Sequence, residues 1–265
     1  MYCLSINNKD YKKIRALGYN PVGLGNDNFN EHWIRDNTGE NISSKNHKYG
    51  EYTFHYWFWK NKLNIIDDNK WIGFCAYRRF WSQDTSTLKI SSKKDFLKYP
   101  SKAWDENSVI LGQYICMDRW TLMKILKHGL SSFIKNPKFI FKKNRNLKLH
   151  FDSFHGQGNL DKAIELLDEK EREDFKIFMN NNNSYNRGNM FICKSKKLIS
   201  RYYESIFPWL KRCEDIFGLD FKNNYGSERM YGFLAERYLS YWFNKYAKVT
   251  TWPIIFYDLN KNDPS

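Results

Sequence analysis

Short apolar runs of strand length alternate with helical stretches along this chain, and that alternation narrows the available folds more than any other feature. Tyr2 to Ile6 is a β-like run, Lys9 to Leu17 is a short helix that Gly18 stops, and Pro21-Val-Gly-Leu begins the next extended segment. A β-α-β opening favours a parallel sheet with helices on its faces. After a polar loop over residues 26–48, Tyr49 to Lys62 predicts a very aromatic helix. Trp71-Ile-Gly-Phe-Cys-Ala predicts a buried strand, and Ser108 to Cys116 another. Asn159 is placed to cap a helix through Ala163, Ile164 and Leu167, and Asn180 to Asn183 reads as loop. Gly188 to Cys193 predicts a strand, and Ser195 caps a helix that Pro208 should kink. Ser227 caps a last long helix through Met230 and Tyr241, and Val249 to Tyr257 closes the pattern as a strand. No linker or solenoid-period repeat divides the chain. The expectation is one α/β domain over 1–265, with residues 119–158 as a basic insertion or lid.

Composition supports a folded protein. Of 265 residues, 42% are hydrophobic and 18% aromatic, which suits a substantial core and not a disordered tail. No stretch of eighteen apolar residues is present, so no transmembrane helix is expected. Met1-Tyr-Cys-Leu-Ser-Ile turns polar too soon for a signal peptide. The cysteines at 3, 75, 116, 193 and 213 are odd in number and lack C-x-x-C spacing, which argues against a disulfide framework and a zinc site. A reduced, cytoplasmic protein is expected. Lys and Arg number 43 against 29 Asp and Glu, a net charge of +14. Between Arg119 and His150 there are nine Lys/Arg and no acid, interleaved with Trp120, Phe133, Phe139 and Phe141. Such a segment suits the anionic inner face of a membrane, while an ordinary solvated face is the plainer reading. Nucleic acid would call for a recognisable binding module, and none is present, so it is not an expected partner.

Four clusters carry candidate chemistry. The first, Ile34 to Asn46, packs acids, amides, a glycine and a lysine into a loop before a helix, a natural place for an anion. Lys45 suits phosphate there, and Asp36 and Glu40 suit ribose or sugar hydroxyls; an Asn/Asp turn network is the alternative. The second, Tyr77-Arg78-Arg79-Phe80-Trp81, follows a strand directly, where open α/β sheets bind ligands. Arginines can grip a diphosphate bidentately, and position favours that role for one of the two. Salt bridges to acids elsewhere are the alternative for the pair. The third, His150 to Asn159, resembles a mobile active-site loop in which Asp152 or His155 could act as general base. In the fourth, Asn186-Arg-Gly-Asn-Met-Phe-Ile-Cys, Gly188 allows close backbone approach and Asn189 could meet sugar hydroxyls. Arg229, Glu236 and Arg237 share one helix and read first as an internal salt-bridge set, then as substrate contacts.

Several signatures are missing. Neither G-x-x-x-x-G-K-[ST] nor G-x-G-x-x-G occurs, so P-loop and Rossmann nucleotide binding lose support. There is no G-x-S-x-G and no Asp-x-Asp after an apolar strand. Asp67-Asp68 lies in a loop before Trp71 and is not assigned a metal.

Three segments, Asp36 to Asn46, Glu51-x-Thr-Phe-His-Tyr-Trp-Phe-Trp-Lys-Asn61 and Ile72 to Phe80, resemble the DUF4422 family of bacterial capsule and lipopolysaccharide glycosyltransferases. That family includes galactofuranosyl- and galactosyltransferase-like members. Asn189-Met-Phe-Ile and Tyr231-Gly-Phe-Leu-Ala-Glu-Arg237 resemble its C-terminal half, so the resemblance spans nearly the whole chain. One departure is Ala76, where members commonly carry the histidine of His-Tyr-Arg-Arg.

The resemblance implies a GT-A-like α/β fold, a UDP-sugar donor and an oligosaccharide or lipid-linked acceptor of a surface polysaccharide. Galactose, pyranose or furanose, is the first guess for the sugar. Asn7 and Lys9 would lie near the nucleotide base, and Asp36, Asn41 and Lys45 would hold ribose, sugar or phosphate. Tyr77, Arg78 and Arg79 stand where a GT-A enzyme presents metal-binding acids, so the arginines would replace the cation; no cofactor is expected, with a divalent metal left open. Asp152 or His155 would be the base and Asn189 would face the acceptor. Transfer of another phosphate-linked group is the competing enzyme reading, and a basic nucleic-acid or membrane-surface binding module the non-enzymatic one.

Overall fold

A computed structural model describes residues 1–25, 28–68, 70–87, 89, 92–105, 108–117, 145–219, 228–259 and 261. Its strands are β1 (Tyr2–Ser5), β2 (Asn20–Gly23), β3 (Ile34–Arg35), β4 (Ile72–Ala76), β5 (Arg79–Trp81), β6 (Ser108–Gly112), β7 (Tyr114–Cys116), β8 (Ser184–Asn186), β9 (Phe191–Cys193), β10 (Lys248–Trp252) and β11 (Ile254–Phe256). The helices are α1 (Tyr11–Ala16), α2 (Asn46–Tyr49), α3 (Tyr52–Asn61), α4 (Leu147–His155), α5 (Asn159–Glu165), α6 (Glu169–Asn181), α7 (Lys196–Phe217) and α8 (Met230–Tyr246). The main sheet runs β10-β6-β9-β4-β1-β2-β3, with β5 joined to β4 and β11 to β5. Along that path β9 runs against its neighbours and every other pairing is parallel. This is the mixed, mostly parallel α/β architecture that the alternation predicts.

The strands are apolar on both faces because both faces are covered. Leu4, Phe74, Val109, Leu111 and Phe191 point into one core, beneath the long helices. Their strand neighbours Cys3, Cys75, Ile110 and Ile192 point into a second core with Ile14, Trp81 and Trp252. The two sets interleave with the period of two that a pleated strand imposes. α3 lies on the first face, where His55 and Phe58 meet Phe74 at ring-centroid distances of 4.4 and 5.2 Å.

Several boundaries differ from expectation for identifiable reasons. The expected strand Val249–Tyr257 is two strands, because Pro253 has no N–H to continue a ladder. β10 pairs with β6 and β11 turns away to β5. Ser108–Cys116 likewise divides after Gly112, and β7 forms a separate two-stranded sheet with β8. The aromatic helix breaks at Gly50, whose φ is +57°. The His150–Asn159 segment is no loop: Asn146 Oδ1 caps α4 by accepting from Leu149 N–H at 2.8 Å, and Gly156 ends the helix. Asn159 is the first residue of α5, and the cap position is Gly158. α7 is capped by Ser195 and stays helical through Pro208. Ser227 and most of the basic stretch, from residue 118 to 144, lie outside the described residues. No described helix is long and apolar enough to cross a membrane.

Candidate active site

Because β9 is antiparallel to β4 and β6, its first residues lie at the edge where those strands end. Gly188-Asn189-Met190 therefore meets the end of β4 and the β5/β11 hairpin at the carboxyl edge of the sheet. They form the floor of a cleft of about 380 Å³. Arg79 and Ile254 stand on one side, Tyr185 and Arg187 on another, and Gly232, Phe233 and Glu236 of α8 on a third. Glu51 and Arg229 complete the lining.

The floor is held rigidly. His55, fully buried in α3, has Nε2 3.1 Å from the Asn189 carbonyl and Nδ1 2.7 Å from the Tyr203 hydroxyl. A carbonyl only accepts, so Nε2 carries the proton and Nδ1 accepts from Tyr203. Burial pushes the His55 imidazole down to about 4, which keeps it neutral. The Gly188 N–H donates to Glu236 Oε1 at 2.8 Å, and Asn189 Nδ2 donates to the Gly232 carbonyl at 3.2 Å. Asn189 Oδ1 is buried at the cleft with no hydrogen-bond partner among the described residues. Just before Arg187, the buried Asn186 accepts from Ser240 and Asn244 at 2.8 and 3.0 Å and donates to the Gly112 carbonyl at 2.8 Å. That fixed base aims Arg187.

The two adjacent arginines divide. Arg78 Nε lies 3.3 Å from Asp258 Oδ2, and its guanidinium covers the Tyr77 ring at 4.9 Å. Arg79 lies over Phe256 at 4.6 Å and has no salt bridge among the described residues. Burial, then Arg187, then Arg78 lower the Arg79 guanidinium to about 10. Two like charges, one from β5 and one from the segment after β8, thus line one cleft, and among the described residues neither is paired with an acid, which suits an anion.

The first sequence cluster stands apart from that cleft. Asp36 is fully buried; it accepts from Gly25 N–H at 2.9 Å and from Thr53 Oγ1 at 2.5 Å. Burial pushes its carboxyl up to about 6 against those hydrogen bonds. Asn41 Oδ1 accepts from Ser43 N–H at 3.2 Å in an exposed turn. Lys45 pairs with Glu214 at 2.6 Å beside a second groove of about 350 Å³, lined by Tyr56, Trp59 and Phe207. Although burial raises Glu214, hydrogen bonds from Lys45 and Tyr49 hold it below the usual carboxylate range.

Asn7 Oδ1 accepts from Lys9 N–H at 3.1 Å in the turn after β1. The exposed Lys9 and the half-buried Asn7 thus sit at the carboxyl edge of the sheet without lining the cleft. Asp152 pairs with Lys148 at 3.1 Å, and burial raises its carboxyl against that pairing. His155 is buried against Phe233, ring centroids 4.1 Å apart, so Phe233 separates it from the cleft.

Of the residues singled out in the sequence, the structure brings Arg79, Gly188, Asn189, Arg229 and Glu236 together at the cleft. Arg187, Glu51 and His55 join them without a sequence role assigned. The signal for Arg187 was its place next to Gly188; for Glu51 it was its place just before the aromatic helix. Among the described residues no three His, Cys, Asp or Glu side chains are grouped to hold a metal ion. Tyr77-Arg78-Arg79 after β4 does not fit a divalent cation.

None of the curated proteins compared matches the chain. A structure described as WbbM bifunctional glycosyltransferase, apo form, superposes with a TM-score of 0.67 at 21% identity. The match covers 96% of this chain and 44% of that one, so the chain spans less than half of WbbM and shares its fold over that part. The family model described as "Domain of unknown function (DUF4422)" matches residues 3–248. The chain belongs to the DUF4422 family.

Proposed function

We propose that the protein is a glycosyltransferase that moves a sugar from a UDP-sugar donor to an oligosaccharide or lipid-linked acceptor of a surface polysaccharide. The observation that carries this reading is the convergence of Arg79 and Arg187, neither paired with an acid among the described residues, on the cleft at the carboxyl edge of the sheet. A leaving nucleoside diphosphate needs its developing charge neutralised, and fixed guanidinium groups supply this where a GT-A enzyme would place acids and a cation. The fold shared with a bifunctional glycosyltransferase supports the same reading. Arg78 and Tyr77 back the hairpin that presents Arg79, and Asn189 offers the acceptor its unpartnered Oδ1. Galactose, as pyranose or furanose, is the sugar to try first. The acceptor would be met at the inner face of the plasma membrane.

The test is turnover of a UDP-sugar panel, read as UDP release, with manganese and with EDTA. Release from one UDP-sugar that survives EDTA supports the reading. Release that requires manganese overturns the arginine substitution for a metal. No release and no binding of any nucleotide sugar shifts the assignment to transfer of another phosphate-linked group.

A further inference from the structure

We infer that Glu51 is the general base that takes the proton of the acceptor hydroxyl, an inference that rests on the transfer reading above. Two carboxylates among the described residues line the cleft that Arg79 and Arg187 share, Glu51 and Glu236. A base needs a lone pair that is not already spent on protein donors. Glu236 is committed to protein donors on both oxygens: Oε1 accepts from Gly188 N–H at 2.8 Å, and Oε2 accepts from Arg237 Nη1 at 2.8 Å and from the Tyr185 hydroxyl at 3.4 Å. Its side chain is 15% exposed and holds the floor in place. Glu51 is 30% exposed, and Arg229 Nη2 stands 3.7 Å from its Oε2, beyond hydrogen-bond length. That ion pair orients the carboxylate, and among the described residues no hydrogen bond occupies its oxygens.

The backbone is shaped for this arrangement. Gly50 has φ +57°, and a Cβ built on it would lie 2.4 Å from Arg229 Nη2. The guanidinium therefore passes over a bare α-carbon to reach Glu51.

In the step, the acceptor O–H proton passes to a Glu51 oxygen while the acceptor oxygen bonds to the anomeric carbon. The bond from that carbon to the diphosphate oxygen breaks, and its electron pair leaves with UDP, whose charge Arg79 and Arg187 neutralise. Glu51 then returns the proton to solvent. Direct displacement of this kind inverts the anomeric configuration.

The experiment compares wild type with Glu51→Gln for UDP-induced thermal shift and for UDP release from UDP-galactose and UDP-galactofuranose. The variant should keep the thermal shift, lose turnover by about a hundredfold or more and lose the acid limb of the kcat pH profile. A smaller loss, or loss of the thermal shift together with turnover, overturns the assignment. If Glu51→Gln does not fold, Glu51→Asp decides: lower kcat at unchanged donor KM supports a base, and a change confined to KM overturns it. A wild-type chain that binds no UDP overturns the transfer reading and this proposal with it.

Discussion

His55 Nε2 donates to the carbonyl of Asn189 across 3.1 Å, tying the middle of a buried helix to the floor of the cleft. The second ring nitrogen accepts from Tyr203, so one neutral side chain satisfies two buried groups. A core histidine thereby sets where the Gly188–Met190 backbone stands relative to Arg79 and Arg187.

Replacing His55 with Phe keeps the ring and orphans both partners. Leaving two buried groups unsatisfied should cost about 2–4 kcal/mol, measured by urea unfolding. Donor affinity should fall as well, because the floor loses its anchor. His55→Gln, which keeps one donor and one acceptor, should recover part of both.

His55 and Asp36 should act in opposite directions on stability between pH 4 and 6.5. The imidazole is held down to about 4 by burial, so the unfolded chain binds more protons in that window and stability is lost as pH falls. The Asp36 carboxyl is pushed up to about 6, so there the folded chain binds more protons and stability is gained as pH falls. Asp36→Asn removes the gain alone. Between pH 7 and pH 4 the wild type should gain about 2–3 kcal/mol relative to that variant. Against His55→Gln it should lose a similar amount over the same range.

Gly50→Ala tests the geometry that joins Arg229 to Glu51. The methyl would meet Arg229 Nη2 at 2.4 Å in a backbone conformation at φ +57° that L side chains rarely adopt. A stability loss of about 1–3 kcal/mol is expected, with a larger fall in turnover than in UDP affinity. Chemical denaturation and UDP release check the two parts.

The arginines should separate by role. Arg79→Ala and Arg187→Ala should each weaken UDP binding about 10- to 100-fold, the range of one charge-assisted hydrogen bond. Arg78→Ala should weaken it less, because Arg78 is bound to Asp258. Titration calorimetry of the three variants ranks them.

The sheet was legible in the sequence because its strands are short apolar runs with covered faces, as in Trp71–Ala76. Phe74 and Cys75 there enter opposite cores. The long helix α6 was not read, because its opening Glu-Lys-Glu-Arg-Glu-Asp is charged all round and only Glu171, Phe175 and Met179 turn inward. The division at Pro253 depended on partners that a local reading does not supply. The candidate site was legible at Arg79, Gly188 and Asn189, next to recognisable strands, and in part at Arg229 and Glu236, read first as a salt-bridge set. Its other members, Glu51 and Arg187, lie far apart in sequence, one at the start of α3 and the other in the segment between β8 and β9. In the Asp36–Lys45 cluster the buried carboxylate and the lysine are engaged by Thr53, Gly25 and Glu214, away from the cleft, as in the turn network that was the alternative reading.

Arg79 and Arg187, unpaired with acids among the described residues, should bind the diphosphate without a metal. Calorimetric titration of UDP into wild type and into the Arg79→Ala/Arg187→Ala double variant, both in EDTA, measures this. The wild type should bind UDP at one site in EDTA, and a folded double variant should show no measurable binding. Equal binding by both chains, or wild-type binding only when manganese is added, would contradict it.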